Sequence, residues 1–152
     1  MLGMRIKLDK GAKMPTKAYN TDAGFDIYSR EDKIVPARGS AIFDTGVHID
    51  LPKIALWDGY SYSNTFLTAG VIASKSGLNV KHNITSEGII DIGYEGSIVV
   101  KLYNHGDMDY EVKKGDKISQ LLIVPIFPVE LELVDELKGG ERGNNGFGSS
   151  GR

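Results

Sequence analysis

The chain contains no cysteine. That excludes a disulfide framework and any thiolate metal site, and it suits a reducing compartment such as the cytoplasm. No apolar run reaches the length of a membrane helix, and the opening MLGMRIKLDK lacks the apolar centre of a signal peptide. Excess charge of either sign is also missing, since 18 Lys and Arg stand against 20 Asp and Glu. A protein that grips a nucleic-acid backbone carries a basic surplus, so neither nucleic acid nor membrane is expected as a partner. Long helices have little room, because 19 glycines punctuate 152 residues. A chain of this length is most simply one domain with a real core.

What fills the space between glycines is strand-like. In MRIKL, Met4, Ile6 and Leu8 share one face. FDIYS follows a turn-rich connection. In GVHIDLP, Val47, Ile49 and Leu51 alternate with His48 and Asp50 and are closed by Pro52. GSIVVKLYN and KISQLLIVPIF are the longest aliphatic runs, and PVELELVDEL alternates Val129, Leu131 and Leu133 with glutamates. Turn signals recur every eight to twelve residues or so, the spacing of an all-β barrel or sandwich. One stretch, SGLNVKHN, reads as a short helix with Ser76 as its N-cap. Between residues 53 and 68, aromatic residues crowd around DG and SN turn signals, which reads as a β-hairpin packed across its strands or as an interaction surface, the hairpin being the simpler.

Several polar residues do not belong to a plain strand pattern. Asp26 lies in strand-like sequence, either on a solvated face or in a site. Lys75, Ser76 and Gly77 stand where a strand gives way to a helix, either an anion site or a capped helix start with a solvated lysine. Asp91 follows Ile89 and Ile90 and opens the turn DIGYEG. It either closes that turn through its own backbone or holds and deprotonates a water. Tyr94, in the same turn, is placed to present its ring to a ligand. Gln120 interrupts an apolar strand and must satisfy its amide on backbone or on a ligand oxygen. The ending ERGNNGFGSSGR has the composition of a flexible linker, yet it carries Arg142 and Phe147.

In order and spacing, AGFDIYS, SKSGL, GIIDIGYEG, KGDKISQLLI and ERGNNGFGSSG resemble the five motifs of the homotrimeric dUTP pyrophosphatases, the dUTPases. The resemblance runs from about Lys7 to Gly151. It implies an all-β, jelly-roll-like barrel over residues 1–140, with the 53–68 hairpin as an insertion and residues 141–152 as a Gly-rich lid that closes on bound nucleotide. It also implies hydrolysis of dUTP to dUMP and pyrophosphate with Mg²⁺, in a homotrimer whose active sites are shared between subunits. That reaction limits uracil incorporation into DNA and supplies dUMP for thymidylate synthesis.

By the same resemblance Asp91 is the general base for water attack on the α-phosphorus, and Tyr94 packs on the deoxyribose. Uracil is read from around Thr85, Gly88, Ile89, Ile90 and Val99. Lys75, Ser76, Gly77 and Gln120 contact phosphate, as do Arg142, Gly148, Ser149 and Ser150, while Phe147 stacks on the base. Asp26 orients metal-bound water. The chain departs from the family pattern at Lys75, where Arg is usual, at Thr85, where some members have Asn, and at Ser150, where Thr is common. Two other functions fit the same motifs less well. One is a nucleotide-binding regulatory module on this fold, and the other is a dCTP deaminase relative, which uses a glutamate-centred site.

Overall fold

Among the described residues, eleven strands and one short helix follow one another: β1 (Arg5–Leu8), β2 (Phe25–Tyr28), β3 (Lys33–Val35), β4 (Ser40–Asp44), β5 (Val47–Asp50), β6 (Ile54–Trp57), β7 (Tyr62–Ala73), α1 (Ser76–His82), β8 (Ile84–Ile90), β9 (Val99–Asn104), β10 (Tyr110–Val112) and β11 (Lys117–Ile126). The computed structural model describes residues 3–57, 62–137, 139 and 140, with the side chains of 56, 57 and 62–65 left aside. All strand pairings are antiparallel. The main sheet runs β2–β11–β7–β8–β9–β4, with β6 against the outer half of β7, and β1–β5 and β3–β10 form two-stranded flaps. This curled, antiparallel arrangement is the jelly-roll-like fold expected from the sequence.

The core is mostly Ile and Val, the side chains that best fill a pleated surface. Ile27, Phe43, Val47, Ile72, Ile84, Ile98, Val100, Leu102, Ile118 and Leu121 are buried within it. Val47, Ile49 and Leu51 all point inward, as their alternation requires. Met4, just before β1, and Ile6 within it pack on the core, but Leu8 does not. The chain turns over Asp9–Ala12 directly after it, and the strand face ends there.

Two other expectations change. Ser76 is not the N-cap of α1. Lys75 holds that position in extended geometry, its carbonyl accepts from the Asn79 amide at 2.9 Å, and Ser76 is the first helical residue. PVELELVDEL forms no strand, and Leu131 and Leu133 are 97% and 100% exposed. Alternation gives a strand only when a partner edge exists, and the described residues of one chain offer none to this segment.

Candidate active site

The hairpin formed by β8 and β9 opens partway along. Ile84, Thr85 and Ser86 pair with Asn104, Tyr103 and Leu102. From Glu87 onward β8 pairs instead with β7, Ile90 lying opposite Gly70. The first half of β9 pairs with β4 on its far side, from Val99 opposite Asp44 to Lys101 opposite Ile42. Residues 87–90 and 99–101 therefore turn unpaired backbone edges toward each other. A cleft of about 200 Å³ lies there, lined by Ile89, Ile90, Asp91, Tyr94, Ile98 and Val99. Unpaired N–H and C=O groups beside apolar walls can read the donor and acceptor edge of a flat heterocycle.

The turn at the end of this cleft carries Asp91 and Tyr94. The Tyr94 amide donates to the Asp91 carbonyl at 3.1 Å, and Gly93 takes φ +88°, a conformation open to glycine. The Tyr94 ring folds over Gly96 and its hydroxyl donates to the Ser97 carbonyl at 3.1 Å. A Cβ on Gly96 would fall inside that ring, so the glycine is what lets the tyrosine lie there. Asp91 is exposed at the mouth. Gly96 stands in the sequence as one more turn glycine, and only the ring above it gives it a function.

A second polar centre forms where β2, β11 and the end of β7 meet. Asp26 is 7% exposed, which removes the solvated-face reading. One of its carboxylate oxygens pairs with Lys75, and the other with Lys117 at 2.6 Å. Burial opposes the charge, but the Lys117 and Lys75 ammonium groups outweigh it and hold the carboxyl below its usual range. Gln120, opposite Asp26 in the sheet, donates its amide to the Ser74 carbonyl at 2.9 Å. Behind it, hydroxyls knit three strands together. Ser86 bonds Ser119 at 2.8 Å, Ser119 donates to the Ala73 carbonyl, and the Ser74 hydroxyl donates to the Ser86 carbonyl. This fixes the corner from which Lys75, Ser76 and Gly77 project. Ser74, Lys117 and Ser119 belong to this corner but were not among the expected site residues. A lysine and small polar residues near strand ends give no signal of their own.

Thr85 lies apart from the cleft. Its hydroxyl bonds His105 Nε2 at 2.8 Å, and it lines a shallow depression with Ser74, Ser86, Glu87 and Tyr103. Arg142, Phe147, Gly148, Ser149 and Ser150 lie outside the described residues.

The two centres are far apart in one chain. Ile90 is opposite Gly70, β7 ends three residues on at Ala73, and Lys75 follows in extended geometry two residues later. At the rise of a β-strand that is about 17 Å, and Asp91 lies one residue beyond.

A cleft edged by bare backbone and a separate cluster of charged side chains define a β protein suited to a flat base with a charged tail. Comparison with known proteins places it more narrowly. The family model described as dUTPase matches residues 10–151. The deoxyuridine 5′-triphosphate nucleotidohydrolase of Clostridium acetobutylicum is 39% identical over 155 residues, covering 99% of this chain and 98% of the relative. The Kluyveromyces lactis protein of the same name is 38% identical over 143 residues, covering 93% and 88%. The dUTPase of Staphylococcus bacteriophage 80alpha, solved with dUpNHpp, superposes with a TM-score of 0.84 at 31% identity over the whole of both chains. A phage phi11 dUTPase variant with a structural Mg(II) ion superposes at 0.74 and 26% identity, over 91% of this chain and 100% of that one. The chain belongs to the dUTPase family.

Proposed function

We propose that the chain hydrolyses dUTP to dUMP and pyrophosphate, with Asp91 as the general base. The observation that carries this reading is the opened β8–β9 hairpin, which sets unpaired backbone edges beside Asp91 and Tyr94. Fixed backbone donors and acceptors around Gly88, Ile89, Ile90 and Val99 accept uracil. They reject cytosine, because its exchanged donor and acceptor would leave buried groups unpaired. Tyr94, propped over Gly96, closes the sugar side and leaves no space for a ribose 2′-hydroxyl. Asp91 takes a proton from the water that attacks the α-phosphorus, and the electron pair of the breaking P–O bond leaves with pyrophosphate.

The phosphates go to the corner of Lys75, Ser76, Gly77 and Gln120. In the present arrangement Lys75 is held by Asp26. On binding, Lys75 turns to phosphate while Lys117 keeps Asp26 charged and oriented. Among the described residues no three His, Asp or Glu side chains cluster to cage a cation. Asp26 is the residue that would hold a Mg²⁺ ion, through water, beside the phosphates of a bound nucleotide. When bound, the ion supplies charge neutralisation along the triphosphate.

The separation of about 17 Å between the two centres exceeds what one triphosphate bridges. We therefore assign Asp91 and Lys75 of any one site to different subunits of a homotrimer. The exposed row Val129, Leu131 and Leu133 is suited to burial against such a neighbour. Residues 141–152, with Arg142, Phe147, Gly148, Ser149 and Ser150, complete the site over base and phosphates. No helix among the described residues is long and apolar enough to cross a membrane. The test is pyrophosphate release from dUTP, dCTP, dTTP and UTP with Mg²⁺. Strong preference for dUTP is expected. Ammonia released from dCTP would indicate a deaminase, and no turnover of dUTP would leave a binding module.

A further inference from the structure

The turn that carries Asp91 and Tyr94 is pinned to the strands beneath it at three places. The Ser97 hydroxyl donates to Asp44 at 2.5 Å and accepts from the Gly46 amide at 2.9 Å. The Ile98 amide donates to the Val47 carbonyl at 2.7 Å. The third pin is His48 of β5, whose Nδ1 lies 2.8 Å from the Glu95 carbonyl oxygen. Its Nε2 lies 3.1 Å from the Asp9 carboxylate.

Both partners of this imidazole are acceptors. A carbonyl oxygen and an ionised carboxylate have no proton to give, so both bonds exist only when both ring nitrogens carry hydrogen. A neutral ring has one N–H. The carboxylate is the stronger acceptor and keeps it on Nε2. The Nδ1 lone pair then faces the Glu95 carbonyl, and attraction becomes repulsion. On this geometry we propose that His48, with Asp9, is a positioning residue for the reaction: the imidazolium holds the Glu95 end of the 91–97 turn in its working place, and the neutral ring releases that end while Ser97 and Ile98 stay bonded. The reaction meant is the dUTP hydrolysis proposed above, on which the catalytic part of this inference rests.

The charges around the ring favour its protonated form. From the loop after β1 comes Asp9, with Lys7 at 3.8 Å from its other oxygen. From the β2–β3 connection Arg30 lies 4.0 Å from Asp9 and pairs with Asp44 of β4. Arg5 of β1 is neutralised by Asp50 of β5, and the turn itself brings the Glu95 side chain beside the ring, with Asp91 at its far end. The Glu95 carbonyl and then Asp9 raise the His48 pKa above 6.5, while partial burial and Lys7 act the other way. A raised folded-state pKa means the pin is fully present below about 6.5 and is lost as pH rises through the higher value. Gly46 belongs to the same device. It sits at φ +67°, and a Cβ there would meet the Arg30 guanidinium at 2.8 Å.

The experiment uses the full chain and needs no substrate for its first arm. The ring signals of the three histidines are titrated by NMR, with His48 assigned by its loss in His48→Arg. The Gly96 amide nitrogen, bonded directly to the Glu95 carbonyl carbon, reports the pin. We expect the Gly96 signal to titrate with the His48 midpoint, above 6.5. It should be flat in His48→Arg, whose cation does not titrate. Asp9→Asn should move the midpoint down toward the ordinary histidine value and serves if His48→Arg does not fold. In the second arm, kcat/KM for dUTP should fall about tenfold across the same interval in the wild type, and this fall should be absent in His48→Arg. A Gly96 signal that ignores the His48 titration, a midpoint unchanged by Asp9→Asn, or an alkaline fall that persists in His48→Arg would each overturn the proposal. If wild type turns over no dUTP at any pH, the proposed function fails, while the Gly96 titration still decides whether the pin exists.

Discussion

The two halves of the proposed site are built in opposite ways. At the phosphate corner, charged side chains hold one another. Asp26 is shared by Lys75 and Lys117, and Gln120 and three serines brace the backbone that carries Lys75. At the base cleft, the protein presents backbone, freed because β8 changes partner from β9 to β7 within one strand. A charged cluster can rearrange around ligands of varied shape, whereas a backbone edge has fixed donors and acceptors. In the function proposed above, this difference makes one site tolerant of phosphate conformation and strict about the base.

Substitutions on either side sharpen this contrast. Asp91→Asn should lower kcat by about 10³-fold while dUTP still binds, because the amide keeps the shape but accepts no proton. Retained turnover in a stopped-flow assay would show that the base is another group. Asp26→Asn comes next. It removes the counter-charge that two ammonium groups share and should cost about 2 kcal/mol of stability at neutral pH. The sign follows from the lowered pKa of Asp26. Its contribution is present above the ordinary aspartate value and lost as pH falls through the depressed one. Wild type should therefore lose more stability than Asp26→Asn below about pH 4, as read by urea melts across pH. Gly96→Ala displaces the Tyr94 ring and should raise KM by about tenfold with the fold intact. It should also weaken discrimination against UTP. Thr85→Ala should change kcat/KM by no more than about threefold, since the Thr85 hydroxyl is bonded to His105 outside the cleft. A larger loss would bring Thr85 into base recognition.

The same contrast governs what the sequence disclosed. Side-chain chemistry is written in it, so Asp91, Tyr94, Lys75 and Gln120 stand out, and alternation predicts the burial of Val47, Ile49 and Leu51. The split of the β8–β9 hairpin is not written there, because a strand that changes partner keeps its alternation. Lys117 does not stand out in the sequence, because one lysine at a strand start looks like any solvated lysine until Asp26 is found beneath it. The helix starts one residue before the position that Ser76 as N-cap implies, since an extended Lys75 caps with backbone alone. PVELELVDEL misled in the other direction. Its pattern is that of a strand, but a pattern supplies no partner, and a single chain leaves those leucines bare.

Subunit mixing tests the central claim most directly, that Asp91 of one chain serves the phosphate corner of another. Asp91→Asn and Lys75→Glu chains, each inactive alone, are unfolded together, refolded and assayed for pyrophosphate release from dUTP. Random assembly should restore activity to roughly one quarter of the wild-type level, the share of sites that draw both intact residues from different chains. Mixed assemblies that stay as inactive as either parent would contradict the account and place both halves of the site in one chain.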